Sequence, residues 1–282
     1  MQIKEEMDRM IKDSFFCERD KEIYLHPCVI TDCIKSLIGL DLKNPNKELM
    51  VWNKHNLENS GKIKFKESKY EAFEMVSYSA LQQAFFDRDR NLVDRIIQKI
   101  SQISEGSQLI EFFIEMALMQ TGKSLISIWR IKRLLMFCDI DNKLMAYSLI
   151  ADFLFQDNFR KNCLEHFKEK KLSDLTSIAA KYDHIILYCH ISDICPDAFI
   201  RSDKILRAYS GMLKYIQNSI DSRFQYIDIK EDRIEKDRTQ FIFNMKNKNS
   251  KNILLIDSLR MLVKKKPLIS QDFINACFLQ IQ

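Results

Sequence analysis

Three consecutive residues, Gly122, Lys123 and Ser124, have the order that ends a phosphate-binding loop. Such a loop also needs a glycine five positions before its second glycine, because that residue lets the backbone curl until its N–H groups face the phosphates. Ala117 occupies the position, and the preceding stretch LIEFFIEMALM has glutamates four residues apart, as on one helix face. The sequence therefore predicts one helix ending at Gly122, another starting at Ser124, and no nucleotide site.

The residues after this motif predict a helix over 124–138 that has a core face and a solvated face. We expect the core face to carry Trp129, Leu134, Leu135 and Phe137. We expect the solvated face to carry Arg130, Lys132 and Arg133.

Two sets of cysteine and histidine residues have the composition of a tetrahedral zinc site. The first set is Cys17, His26, Cys28 and Cys33, and the second is Cys163, His166, His184 and Cys189. The first set has no Cys-x-x-Cys pair to anchor it, and the second is spread over long predicted helices. Reduced structural cysteines and surface histidines are the simpler interpretation, so we assign no metal ligand and no cofactor, and zinc stays an open alternative.

A nuclease-like pattern can also be traced in the second half of the chain. Asp197 is followed, after thirty intervening residues, by Asp228 and Lys230 in a strand-like segment. Two carboxylates and a lysine could hold a divalent metal and orient a water molecule. Such short patterns recur by chance, however, and the first aspartate has no strand context. No serine lies in a glycine-flanked elbow and no cysteine has a clear histidine partner, so no catalytic residue is assigned.

The strongest charge feature is the segment 236–266. It contains nine Lys or Arg residues against two Asp, a local excess of seven positive charges, whereas the whole chain carries +5. Basic residues beside Phe241 and Phe243 suit a nucleic-acid strand, through phosphate neutralisation and base stacking. The candidate nucleic-acid contacts are Lys246, Lys248, Lys251, Lys264, Lys265 and Lys266. A lysine run before Pro267 is also typical of a solvated helix end, where cations favour the helix dipole.

The composition predicts a mainly α fold. The 282 residues include 5 glycines and 4 prolines, far fewer than the turns of an α/β fold require. Helical spacing recurs from about residue 71 to 220, without a fixed repeat period. We therefore predict a multi-helix bundle or an irregular α-solenoid-like array, with a small β-ribbon at 223–246.

The chain divides into three predicted segments. Residues 1–70 form an N-terminal helix plus a loop-rich part, 71–222 the helical core, and 223–282 the basic part with the ribbon and helices near 251–265 and 270–281. The first helix has an apolar stripe that we expect to pack on 71–222, made of Ile3, Met7, Met10, Ile11 and Phe15. The alternation of Ile63 and Phe65 favours a short strand.

The start of the sequence is charged and lacks the apolar core of a secretory signal, and no apolar run reaches the roughly 20 residues of a membrane span. Together with reduced cysteines, this favours an intracellular protein, cytoplasmic or nuclear, that does not bind membranes. Because no catalytic constellation emerges, we expect a non-enzymatic helical scaffold or adaptor that binds a protein partner. The alternatives are a nucleic-acid-binding protein using residues 236–266 and, second, a metal-dependent nuclease. The oligomeric state is left open.

Overall fold

The computed structural model describes residues 2–18, 23–63, 76–103, 107–118, 123–156 and 249–265. In these ranges the chain forms nine α-helices and no β-strand, which confirms the mainly α prediction. The helices are α1 (Gln2–Ser14), α2 (Pro27–Ile38), α3 (Lys47–Asn59), α4 (Tyr78–Phe86), α5 (Arg90–Ile103), α6 (Ser107–Leu118), α7 (Lys123–Leu134), α8 (Ile140–Gln156) and α9 (Ser250–Lys265). Two 3₁₀ turns, Ile23–Leu25 and Leu135–Phe137, precede α2 and follow α7.

Polar side chains at the helix starts explain where several helices begin. Asn46 accepts a hydrogen bond from the N–H of Leu49, and Ser77 accepts one from the N–H of Ala80. Asp139 accepts one from the N–H of Asn142, at 3.0 Å, before α8. Each side chain satisfies a backbone donor that has no partner inside its helix.

The segment that we expected to be rich in loops contains α2 and α3, so that expectation was wrong. Pro27 occupies the first turn of α2, where its missing N–H costs nothing, and therefore starts a helix instead of breaking one. The polar stretch from Asn53 onward remains helical through Asn59, because α3 buries one face that includes Leu49 and Leu57. The expected strand near Ile63 is only an isolated antiparallel bridge between Cys17 and Lys62. Phe65 lies outside the described residues.

The apolar stripe of α1 is buried inside the molecule, as predicted. Met7, Met10, Ile11 and Phe15 are buried, and Ile3 is partly buried against the same core. Among the described residues, α1 packs mainly against α2 and α3, and it contacts the predicted core segment 71–222 through the ion pair of Lys12 with Asp139. Helices α1, α2 and α3 therefore pack against one another.

Helix α2 lies at the centre of the described part. Ten of its twelve residues are buried, and it packs against α1, α3, α7 and α9. Helices α4 to α8 continue the array through the pairs α4–α5, α6–α7, α5–α8 and α7–α8. The core thus joins helices from the beginning, middle and end of the sequence. The predicted ribbon at 223–246, the part of the predicted helical core from residue 157 onward and the predicted helix near 270–281 lie outside the described residues.

Candidate functional site

Arg130 is fully buried in the middle of α7, which overturns its predicted place on the solvated face. Every residue from 124 to 131 is buried, because α2, α6 and α8 surround this helix and leave it no solvated side there. Lys132 and Arg133 retain partial exposure. The core prediction is confirmed for Trp129, Leu134 and Leu135, whereas Phe137 is only partly buried.

The buried guanidinium of Arg130 joins two carboxylates from distant parts of the chain. Its Nη1 atom lies 3.1 Å from Oδ2 of Asp32 on α2, and it also donates to Oδ2 of Asp257 on α9. All three side chains have no exposed surface. The Sδ atom of Met261 lies 3.4 Å from Nη2 of Arg130. One side chain therefore links three helices.

Three further cations surround these carboxylates. Lys35 Nζ lies 2.9 Å from Asp32 Oδ1, in an ion pair that is not aligned as a hydrogen bond. Arg133 Nε lies 3.4 Å from Asp32 Oδ2, and Arg260 Nε lies 2.6 Å from Asp257 Oδ1. The group formed by Asp32, Lys35, Arg130, Arg133, Asp257 and Arg260 is called the charge network below. It contains four cations and two carboxylates, an excess of two positive charges.

Attraction between opposite charges keeps the buried groups of this network ionised. Burial opposes the charge on Arg130, but Asp257 and Asp32 outweigh it and raise the pKa of the guanidinium. Burial also opposes ionisation of Asp257, but Arg130, Arg260 and Arg133 lower the pKa of its carboxyl below the ordinary value. Both carboxylates are occupied by cations, so neither is placed to act as a general base. The network therefore serves to join helices.

The structure brings three of the four N-terminal zinc candidates together around His26. His26 Nε2 lies 3.1 Å from the carbonyl oxygen of Cys17, so this nitrogen carries the proton and donates. Nδ1 then accepts from the N–H of Cys28 at 3.2 Å and lies 3.0 Å from the Cys28 sulfur. The imidazole caps the start of α2 and meets the ring of Phe153 edge-on at 5.3 Å.

Cys33 does not join this group, because it lies near Arg130 and Asp257 in the charge network. Within the described ranges, no three His, Cys, Asp or Glu side chains are arranged to hold a metal ion. Burial raises the pKa of Cys28 well above its ordinary value, so the thiol stays protonated beside His26 and is not a nucleophile. The second zinc set, residues 163–189, lies outside the described residues.

Because several thiols are buried, we expect the free energy of unfolding to decrease at alkaline pH. Burial raises the pKa of Cys28, Cys33 and Cys138, the last to about 11, above the ordinary value of 9.0. The unfolded chain therefore releases these protons first, so stability is fully present below pH 9 and falls above it. At pH 10 each fully buried thiol should lower the free energy of unfolding by about 1 kcal/mol.

Urea denaturation between pH 8 and 10 measures this slope, and the double variant Cys28→Ala/Cys33→Ala should flatten it by about two protons at the upper end of the range. An identical slope in wild type and variant would show that the thiols are not the cause.

The remaining sequence candidates are only partly described. Helix α6 precedes the phosphate-loop-like motif and contains Ala117, which is buried, and α7 begins within the motif at Lys123. The predicted helical context of the motif is therefore confirmed. Lys251 is partly buried in the first turn of α9, and Lys264 and Lys265 lie in its last turn. Several candidates from the sequence lie outside the described ranges, namely Gly122, Asp197, Asp228, Lys230, Lys246, Lys248 and Lys266.

Helix directions place exposed apolar side chains together at one end. Ser127 and Arg133 on α7 contact Ile23 and Ser36 in that order, so α2 and α7 run parallel and end side by side. Leu40 and Leu42 follow the last residue of α2, and Met136 follows the last residue of α7, so all three lie at this end.

The contacts between α5 and α8 bring the remaining apolar residues to the same end. Arg90 contacts Asp152, and Asp94 contacts Ser148, so these two helices are antiparallel. The last residue of α5, Ile103, therefore lies at the end where α8 starts, with Ile140.

Among the described residues, seven large apolar side chains are exposed, and five of them belong to this end. They are Leu40, Leu42, Ile103, Met136 and Ile140, and they are called the apolar end below. Met136 is the most exposed, at 80%. Single exposed apolar residues are ordinary on protein surfaces, whereas a concentration at one end is typical of a contact surface.

In the described part of the chain, no helix combines the length and apolar character needed to cross a bilayer. The chain matches no protein family, no curated protein and no solved structure.

Proposed function

We propose that this protein is a non-enzymatic helical adaptor and that it binds a protein partner at the apolar end. The concentration of five exposed apolar side chains at one end carries this proposal. Burying such side chains against a partner removes apolar surface from water, at about 25 cal/mol per Å². A cluster of this kind beside helix ends suits the apolar face of a partner segment.

The internal chemistry of the described residues supports the same proposal. The carboxylates of Asp32 and Asp257 are both paired with cations, and His26 is committed to capping α2. Because these groups are fully buried, they cannot reach a substrate. These three ionisable residues therefore stabilise the fold, and binding is left to the exposed residues.

The test is a photo-crosslinking amino acid placed at Met136 in the full-length protein, with the same group at Phe86 on α4 as the matched control. Phe86 is 46% exposed at the end of α4, and Arg88 contacts the carbonyl oxygen of Phe155 near the end of α8, so Phe86 lies at the opposite end of α8 from Ile140. We expect a crosslinked protein that depends on position 136.

The captured protein must then bind the purified chain directly, and Met136→Asp should weaken that binding at least about tenfold. Phe86→Asp should leave it unchanged, and circular dichroism should show that both variants are folded. Equal binding by both variants would refute the apolar end as the contact surface. Salt-sensitive capture of nucleic acid in place of a protein would favour the alternative based on residues 236–266.

A further inference from the structure

We propose that the partner segment carries a single acidic side chain, which binds Lys35 and Arg133 at the edge of the apolar end. This inference rests on the proposed function and identifies the chemistry of the partner: an acidic residue next to apolar ones. The acidic residue is inferred from the two cations of the charge network that reach the solvent beside the apolar end.

The network reaches the apolar end through two residues. The ammonium of Lys35 lies 4.7 Å above the ring of Phe137, the residue after Met136. Arg133, in the last turn of α7, donates from Nη2 to the Ser36 hydroxyl at 2.6 Å. The side chains of Lys35 and Arg133 are 19% and 27% exposed, so both reach the surface.

The charge balance indicates how many acidic groups this edge can accept. The network has two more cations than carboxylates. Lys35 and Arg133 lie in the last turns of α2 and α7, whose C-terminal dipoles each offset roughly half a charge. Counted over the described residues, about one positive charge therefore exceeds the negative charge of the network, which matches one carboxylate from a partner.

Donor geometry supports the same conclusion. The ammonium of Lys35 has three N–H donors, and it lies 2.9 Å from Asp32 Oδ1 without an aligned hydrogen bond and 4.7 Å from the centre of the Phe137 ring. Arg133 uses Nε toward Asp32 and Nη2 toward Ser36, while its Nη1 atom lies only 4.0 Å from the Met261 sulfur, a weak contact. Strong donors thus remain for an incoming carboxylate beside the apolar side chains.

The exposed ion pair nearby does not compete for this role. Lys12 Nζ lies 2.9 Å from Asp139 Oδ2, so this lysine and aspartate neutralise each other. Among the described residues, the carboxylate that Lys35 and Arg133 share is the buried Asp32, so their exposed sides, next to Met136, can face an acidic partner residue.

The experiment selects binding peptides with the full-length chain from a phage library of random 12-residue peptides. We expect enriched peptides to combine one Asp or Glu with neighbouring Leu, Ile, Met or Phe residues. Fluorescence polarisation of one labelled enriched peptide then gives its affinity for wild type and variants. Lys35→Gln and Arg133→Gln should each weaken binding about tenfold, with a larger effect at low salt.

Lys54→Gln is the matched control, because Lys54 is exposed on α3 away from the network, and it should bind like wild type. A peptide in which Lys replaces its acidic residue should lose affinity for wild type and regain it with Lys35→Glu. Thermal melting confirms that each variant is folded.

The outcomes separate the two proposals. If Met136→Asp abolishes peptide binding but Lys35→Gln and Arg133→Gln do not weaken it, the apolar end is a binding surface and the acidic contact is refuted. If Met136→Asp has no effect either, the proposed function fails at this surface. Enrichment of basic peptides would also refute the acidic contact.

Discussion

Replacing Arg130 with methionine is expected to lower the free energy of unfolding by about 3–5 kcal/mol. The substitution leaves the buried carboxylates of Asp32 and Asp257 without their common cation, and neither can reach water. Lys35, Arg133 and Arg260 remain, but they lie at the periphery of the network. Urea denaturation monitored by circular dichroism measures the loss.

Two comparisons identify the cause of that loss. Arg9→Met removes an exposed arginine of α1 and should change stability by less than about 0.5 kcal/mol. The triple variant Arg130→Met/Asp32→Leu/Asp257→Leu removes the buried carboxylates as well and should recover most of the stability. A triple variant as unstable as Arg130→Met would show that lost packing, and not unpaired buried charge, is responsible.

The second large effect is expected at Phe15, where alanine should cost about 3–5 kcal/mol. Phe15 follows α1 and has no exposed surface, so shortening it leaves a cavity that the surrounding helices can fill only in part. Arg9→Ala on the same helix should be nearly neutral. Chemical denaturation of both variants makes the comparison.

Deletion of residues 1–16 extends this test to the whole helix. The truncated chain should melt well below wild type, because α1 covers α2 and α3. If it melted unchanged and lost a binding partner instead, α1 would be an interaction motif and its burial would not stabilise the fold.

The sequence predicted the helices well wherever one apolar face repeats. Helices α4 to α8 lie within the stretch from about residue 71 to 220 where helical spacing recurs, and α7 begins one residue before the predicted start of its helix. The prediction was wrong for the 17–70 segment because Pro27 and the polar residues of α3 resemble loop signals. Their helical state depends on burial against α1 and α7, which no local pattern reveals.

The charge network could not be predicted from local sequence patterns, because its members lie far apart in the chain. Arg130 pairs with Asp32 and Asp257, which are 98 and 127 residues away in the sequence. One signal was present, since Asp32 and Arg130 each directly follow a mostly apolar run, CVIT and LISIW. A charge beside such a run indicates a buried pair, because an isolated buried charge is too costly.

The apolar end also depends on long-range order. Leu42, Ile103 and Met136 are far apart in the sequence, and each alone is an ordinary exposed residue. They come together because α2 and α7 run parallel while α5 and α8 run antiparallel. Sequence periodicity gives the faces of helices but not the directions in which they pair.

Native-state hydrogen exchange tests most directly whether the charge network holds helices from distant segments in one cooperative unit. Amides in Ile253–Asp257 of α9 and in Ile30–Ile34 of α2 should exchange with the same free energy, equal to that of global unfolding. In Arg130→Met both should fall together, by the amount that urea denaturation reports. Exchange of the α9 amides at a clearly lower free energy than those of α2, unaffected by the substitution, would show that α9 opens independently and that the network does not join the segments.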